Sequence, residues 1–249
     1  MTNRAGFDFT GSAALVTGGT SGIGYATAAL LRDTGAEVTV TGTRAAPTDY
    51  NVDLSGVAYR QLVLTDHAVI EDVAASFTGL DILINNAGAN FPGGLDESTA
   101  DGFAASVDLN LLAPFRLTAA LHGALTASKA SGGASVIMLA SMAAIRAVPP
   151  VPGYGSAKAG MLALTRNLAM RWAGDGIRVN AVVPGVIATP MTAPMDLVPD
   201  IKQQQLNHIP MSRFGSPEDI ASAILFLCTE NASYVTGSAV VVDGGYSVV

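Results

Sequence analysis

Short runs of β-branched and apolar residues alternate with longer stretches of helical periodicity along all 249 residues. The apolar runs fall at 13–17, 37–41, 59–63, 82–85, 135–140, 178–183 and 239–242. Each is nearly continuous in apolar character, as a strand covered on both faces requires. Between them, residues 22–34, 68–77, 98–125, 153–172 and 217–227 read as helices. This alternation predicts an α/β fold: a single-domain, doubly wound (Rossmann-like) sheet of seven parallel strands with helices on both faces. No repeat interrupts it, and the Ala/Ser/Gly-rich stretch 126–134 reads as a loop before a strand, not a domain boundary. Two connections break the pattern. Residues 44–58 leave too little room for a crossover helix and predict a loop or a short helix. Residues 189–210, rich in Pro and Met, predict a loop able to cover the carboxyl edge of the sheet, where such folds bind ligands.

Composition narrows the function classes. Hydrophobic residues make up 49% and charged residues 13% of the chain, enough for a core and a buried subunit interface. A net charge of -7, with 13 scattered Lys and Arg, argues against a nucleic-acid partner. The lone Cys228 excludes an internal disulfide and, with three histidines, leaves no metal-ligand cluster. It follows an apolar run and reads as a buried, inert thiol. The first apolar stretch, 13–16, is too short for a secretory segment, and nothing approaches the roughly 18 apolar residues of a membrane span. These features predict a soluble, cytoplasmic protein without a membrane partner.

Two motifs carry chemistry. Tyr154-Gly-Ser-Ala-Lys158 sets a phenol and an amine four residues apart at the start of a helix, on one face. An ammonium there is expected to pull the tyrosine pKa down toward a range useful for proton transfer. By itself the pair fits an ordinary amphipathic helix start better than a catalytic pair, and its weight comes from its company. The second motif, Gly18, Gly22 and Gly24, joins the first strand to the first helix. Glycines there let backbone N–H groups and the helix dipole approach a pyrophosphate. The spacing differs from G-x-G-x-x-G but uses the same physics.

Further pieces fall in order: Asn85-Asn86-Ala87-Gly88 after the fourth strand, Asn110, Ser141, Tyr154 and Lys158, then Pro184-Gly185. Near the end come the segments from Arg213 to Ile220 and from Val242 to Gly245. Together with the glycine turn, this series resembles the short-chain dehydrogenase/reductase family over essentially the whole chain. The resemblance implies an NAD(P)-dependent oxidoreductase interconverting a secondary alcohol and a ketone. Tyr154 would be the general acid or base, Lys158 would tune it and hold the nicotinamide ribose, and Ser141 would orient the substrate oxygen. Asn110 would hold a relay water; Pro114, one turn on, lacks the N–H that would meet the Asn110 carbonyl. Cofactor contacts implied are Gly18, Thr20, Ser21, Gly22, Ile23 and Gly24 in the first turn, Leu64 near the adenine, and Asn86, Ala87 and Gly88 beside the adenosine. Past the sixth strand they are Pro184, Gly185, Ile187 and Thr189. The family also implies a homotetramer or homodimer built on the long helices.

Cofactor choice turns on the end of the second strand. Gly42 stands where NAD-preferring relatives often place an Asp, and Thr43 and Arg44 follow, a hydroxyl and a guanidinium suited to a 2′-phosphate. NADP is favoured over NAD, with Ser21 opposing, since many NADP enzymes carry a basic residue there. Val63 and Ala144 also depart from the family pattern. Phe91, Met142, Ala143, Ile145, Val148, Met191 and Met195 are expected to line an apolar substrate pocket, with Arg146 the only nearby charge. A neutral, hydrophobic ketone or alcohol fits this set. A 3-oxoacyl-carrier-protein reductase and a non-catalytic nucleotide-binding sensor or scaffold remain alternatives.

Overall fold

The computed structural model describes residues 6–249. Seven parallel strands form one sheet in the order β3-β2-β1-β4-β5-β6-β7. They are β1 (Ala13–Val16), β2 (Glu37–Gly42), β3 (Ala58–Gln61), β4 (Ile82–Asn85), β5 (Ala134–Leu139), β6 (Ile177–Pro184) and β7 (Ala239–Val242). The helices are α1 (Gly22–Asp33), α2 (His67–Ala75), α3 (Ala100–Val107), α4 (Ala113–Ala120), α5 (His122–Thr126), α6 (Pro152–Trp172), α7 (Pro199–His208) and α8 (Pro217–Cys228).

The apolar runs have a direct structural cause. Successive residues of a strand point to opposite faces, and both faces of the inner strands are covered, whereas the edge strands β3 and β7 keep exposed positions. Leu15, Leu83, Val136, Met138 and Val179 pack with Leu117, Leu121, Met161 and Trp172 on one side. Ala14, Val16, Ile84, Ile137 and Val182 pack with Leu31, Ile220, Ile224 and Leu225 on the other. A strand without a solvent face has no use for polar alternation. Strand order reverses between β1 and β4, the switch point where the carboxyl ends of an open α/β sheet leave a crevice.

Two segments differ from the sequence expectation. The helix predicted over 98–125 is broken: a π turn, Asp108–Leu112, separates α3 from α4, and Leu121 separates α4 from α5. Pro114, in the first turn of α4, cannot donate to a carbonyl one turn back, and the wider turn absorbs the defect. The segment 189–210, predicted as a loop, contains a 3-10 turn (Ala193–Leu197) and α7. Its apolar positions are sparse, so helical periodicity was invisible there. The connection 44–58 holds only the short turn Pro47–Asp49, as anticipated. Among the described residues no helix is long and apolar enough to cross a membrane.

Candidate active site

The turn after β1 is shaped by what it excludes. Gly18 adopts φ +63°, and a Cβ there would stand 3.0 Å from the Ala87 Cα. A Cβ on Gly24 would meet the Gly18 carbonyl at 2.3 Å and Asn86 Nδ2 at 2.4 Å. Asn86 therefore does more than line the site. Its Nδ2 donates to the Thr17 and Gly18 carbonyls, and the Asn86 and Ala87 N–H groups both donate to Thr17 Oγ1. The loop after β4 is thereby bolted to the glycine turn. Ser21 is the N-cap of α1, its exposed side chain makes no capping bond, and the first turn of the helix holds no acidic residue. An uncapped helix N-terminus behind a glycine turn fits the pyrophosphate of a dinucleotide. Thr20 is half-buried and Ile23 packs against the core.

The end of β6 reaches the same place. A Cβ on Gly22 would meet Thr189 Cγ2 at 3.2 Å. Pro184 ends the strand, and Gly185 passes so close to Asp243 that a Cβ would lie 2.7 Å from its Cα. Ile187 is buried, and its carbonyl accepts the Thr192 hydroxyl at 2.5 Å. Leu64 is buried beside exposed Val63.

At the end of β2, the space a side chain on Gly42 would fill is taken by Tyr50: a Cβ would stand 2.4 Å from its Oη. That hydroxyl accepts the Arg44 N–H at 2.8 Å, and the Tyr59 hydroxyl donates to the Arg44 carbonyl. The Arg44 guanidinium lies over the Tyr50 ring, 4.8 Å from its centroid, and donates to the Asp49 carbonyl. Thr43 is exposed beside it.

Ser141, Tyr154 and Lys158 meet where β5 ends against the first turns of α6. Ser141 caps the turn Met142–Ala144, its Oγ accepting the Ala143 N–H at 3.2 Å. Lys158, only 2% exposed, donates to the Leu139 carbonyl at 2.6 Å, and its Nζ lies 5.5 Å from the Tyr154 ring centroid. Burial pushes the lysine down to about 8. The tyrosine moves opposite to expectation: burial raises it, the nearby Ser141 hydroxyl works against the rise, and the Glu97 charge adds to it. The lysine spends its hydrogen bond on a carbonyl, and burial favours the neutral form of both groups.

Asn110 sits in the π turn, fully buried. Its Oδ1 accepts the Ala89 N–H at 3.1 Å, and its Nδ2 donates to the Ala89 and Ser106 carbonyls at 2.9 and 3.0 Å. Its side chain is thus committed to the loop after β4, and only the main chain is left for a relay. Gly88 fills the gap between Asn110 and Lys158: a Cβ would stand 2.6 Å from Asn110 Oδ1 and 3.5 Å from Lys158 Nζ. Of the expected pocket lining, Phe91, Ile145 and Met191 are exposed, and Met142, Ala143, Val148 and Met195 are half-buried. Arg146 is otherwise engaged. Its Nη1 donates to the Tyr246 and Val249 carbonyls, and the guanidinium lies over the Tyr246 ring. Cys228 is pushed up to about 12 by burial.

One residue was not anticipated. Glu97, fully buried, accepts the Phe91 N–H at 2.9 Å and the Tyr154 N–H at 2.7 Å. A signal for it exists in the sequence: α6 opens Val151-Pro152-Gly153-Tyr154, without a Ser, Thr, Asp or Asn to cap it.

A glycine-lined anion cradle at the switch point, beside the half-buried hydroxyls of Ser141 and Tyr154 and the buried Lys158 amine, is the equipment of a dinucleotide-dependent oxidoreductase. Similarity to known proteins agrees. The family described as "Enoyl-(Acyl carrier protein) reductase" matches residues 18–247. A tropinone reductase homolog of Datura stramonium is 37% identical, over 96% of this chain and 92% of its own. A cyclohexanol dehydrogenase of an Acinetobacter species is 34% identical, over 96% of both chains. The solved Pseudomonas aeruginosa RhlG/NADP active-site complex superposes with a TM-score of 0.87 at 29% identity, over 98% of this chain and 100% of that one. The chain belongs to the short-chain dehydrogenase/reductase family, whose members use NAD or NADP.

Proposed function

We propose that this protein interconverts a secondary alcohol and a ketone with NADP as its preferred cofactor, and that Tyr154 is its general acid and base. The observation that carries the reading is the convergence of Ser141, Tyr154 and Lys158 at the end of β5, next to the glycine cradle. A nicotinamide bound beside them would supply the hydride for reduction or accept it in oxidation. Tyr154 Oη gives its proton to the carbonyl oxygen in reduction and takes one from the alcohol in oxidation. Ser141 steadies that oxygen. Lys158, held at about 8, exchanges a proton near neutral pH and so links the phenol to solvent. The Asn110 carbonyl, which has no N–H to meet from Pro114, is the group we assign to the relay water.

The preference for NADP rests on the end of β2. Tyr50 occupies the room that a carboxylate at position 42 would need, and Arg44 is held over the Tyr50 ring beside Thr43. A guanidinium with a hydroxyl beside it and no carboxylate at position 42 suits a 2′-phosphate. A neutral cyclic alcohol or ketone, the class named in the cyclohexanol dehydrogenase relative, fits the apolar lining. The net charge of -7 disfavours docking of an acidic carrier protein. We also infer one domain and a homodimer or homotetramer. Its contact would be the groove between α4 and α6, lined by Phe115, Ala119, Leu168 and Trp172.

The test is a screen of cyclic and aliphatic alcohols and ketones with both cofactors, on wild type and Tyr154→Phe. The variant is expected to lose turnover by about a hundredfold or more while binding NADPH as wild type does. Retained turnover rejects Tyr154 as the acid–base residue. Absence of turnover in the wild type supports a sensor.

A further inference from the structure

Helix α6 carries both Tyr154 and Lys158, so whatever fixes its first turn fixes the phenol. Its own sequence provides nothing for this. Val151 offers no capping side chain, Pro152 has no N–H, and the remaining N–H groups of a helix start need an acceptor. The Tyr154 N–H finds one 57 residues away, in Glu97 Oε2 at 2.7 Å. A carboxylate at that position also complements the positive end of the helix dipole.

The surroundings are cut to fit this carboxylate. A Cβ on Gly153 would lie 2.9 Å from Ser106 Cβ and 3.1 Å from Glu97 Oε2, so only glycine leaves the path to the Tyr154 N–H open. At Gly102 a Cβ would stand 1.9 Å from the Asp96 carbonyl, which lets the first turn of α3 close over the backbone that carries Glu97. The second oxygen, Oε1, holds the Phe91 N–H. Phe91 is one of two non-glycine residues with positive φ (φ +48°, ψ +53°) among the described residues, a conformation that persists only when its surroundings hold it. Two residues earlier, Asn110 grips Ala89 through both its N–H and its carbonyl. The strand-to-helix loop that lines the substrate side and the helix that presents the phenol therefore share one buried anchor.

We propose that Glu97 is a positioning residue: its buried carboxylate fixes the Tyr154 phenol and the pocket wall at Phe91 in one register. The inference rests on the reading of Tyr154 as the acid–base residue. The carboxylate also faces the phenol electrostatically, along with the Ser141 hydroxyl and the Lys158 amine, and its charge disfavours phenolate.

Three variants test this, assayed with the alcohol that the screen above finds turned over fastest. Glu97→Gln keeps the shape but turns an NH2 group toward one of two N–H donors. Its kcat is expected to fall on the order of tenfold, the worth of one charge-assisted hydrogen bond, with the KM for NADP unchanged and the substrate KM raised. The midpoint of its kcat–pH profile should move to lower pH, because the charge opposing phenolate is gone. Glu97→Asp keeps the charge and retracts it. It should lower kcat while leaving the pH midpoint at the wild-type value, and it serves alone if the Gln variant fails to fold. A loss of melting temperature in both variants with wild-type kcat, substrate KM and pH profile would overturn the proposal and leave Glu97 a purely structural cap. Tyr154→Phe, run alongside, separates the two readings. If it retains turnover, the acid–base assignment falls; if it is inactive while both Glu97 variants behave as wild type, only the positioning role falls.

Discussion

Lys158 should make the folded protein less stable at neutral pH than it would be without that amine. The side chain is 2% exposed and makes one hydrogen bond, to the Leu139 carbonyl. Burial holds it at about 8 against an ordinary 10.5. The folded protein therefore binds fewer protons than the unfolded chain between those values, and stability rises with pH across that window. At about 1.4 kcal/mol per pH unit, the full displacement is worth about 3 kcal/mol, carried entirely below pH 8. Lys158→Met removes this burden but strips the Leu139 carbonyl of its donor, which costs about 1–3 kcal/mol. The variant should thus be equal to or up to about 2 kcal/mol more stable than wild type at pH 7, although turnover is lost. The sharper observable is the pH dependence. From pH 7 to about 9.5, wild type should gain about 2 kcal/mol on the variant, or about 4–8 °C in melting temperature for a chain of this length. Burial raises Tyr154 above its usual 10, and the group is common to both proteins. Thermal or urea unfolding of both proteins, at one protein concentration and at both pH values, gives the difference. A difference that stays constant with pH would refute the reasoning, because the amine would then not be paying for its burial.

Two substitutions probe the loops that frame the site. Gly88→Ala places a methyl 2.6 Å from Asn110 Oδ1 and 3.5 Å from Lys158 Nζ. Overpacking of about 1–3 kcal/mol predicts a melting temperature lower by about 2–12 °C, together with reduced turnover; wild-type values of both would show that Asn110 yields freely. Gly42→Asp must expel Tyr50, whose Oη lies 2.4 Å from the new Cβ, and so releases the Arg44 backbone. NADPH binding should weaken by about tenfold or more through the added like charge while NADH binding holds or improves. An unchanged ratio of the two dissociation constants, measured by cofactor fluorescence, would remove position 42 from cofactor choice.

The sheet was legible because its physics is local. Ile82–Asn85 and Ile177–Pro184 are buried on both faces and mostly apolar, with Asn85, Arg178 and Asn180 the polar exceptions, and that pattern needs no tertiary knowledge to read. The glycine turn was legible for a similar reason: the close approach of Ala87 and Asn86 leaves glycine at 18 and 24 as the residue that fits. The π turn at Asp108–Leu112 was not. Pro114 announces a defect, but a single defect can end a helix, kink it or widen one turn, and the choice depends on the neighbours of Asn110. Helix α7 was missed because six polar residues in a run of eight, from Asp200 to Asn207, leave no apolar stripe to read.

The proton-handling residues show where such reading stops. Spacing puts Tyr154 and Lys158 on one helix face, and the fold agrees. Spacing also suggests that the amine acidifies the phenol, and here burial reverses the direction: the lysine is pushed toward its neutral form and the tyrosine held in its own. A sequence states which groups are neighbours along a helix, but the charge on each depends on how much solvent the rest of the chain removes. Glu97 makes the same point from the other side. Its carboxylate accepts the Tyr154 N–H at 2.7 Å, yet it lies 57 residues upstream, just before the predicted helix start at 98, where no motif singles it out. What betrays it is a deficiency elsewhere. A helix that opens on Val151 and Pro152 and still presents a fixed phenol must borrow its acceptor from another part of the chain, and the missing cap is the trace that a distant carboxylate leaves in the sequence.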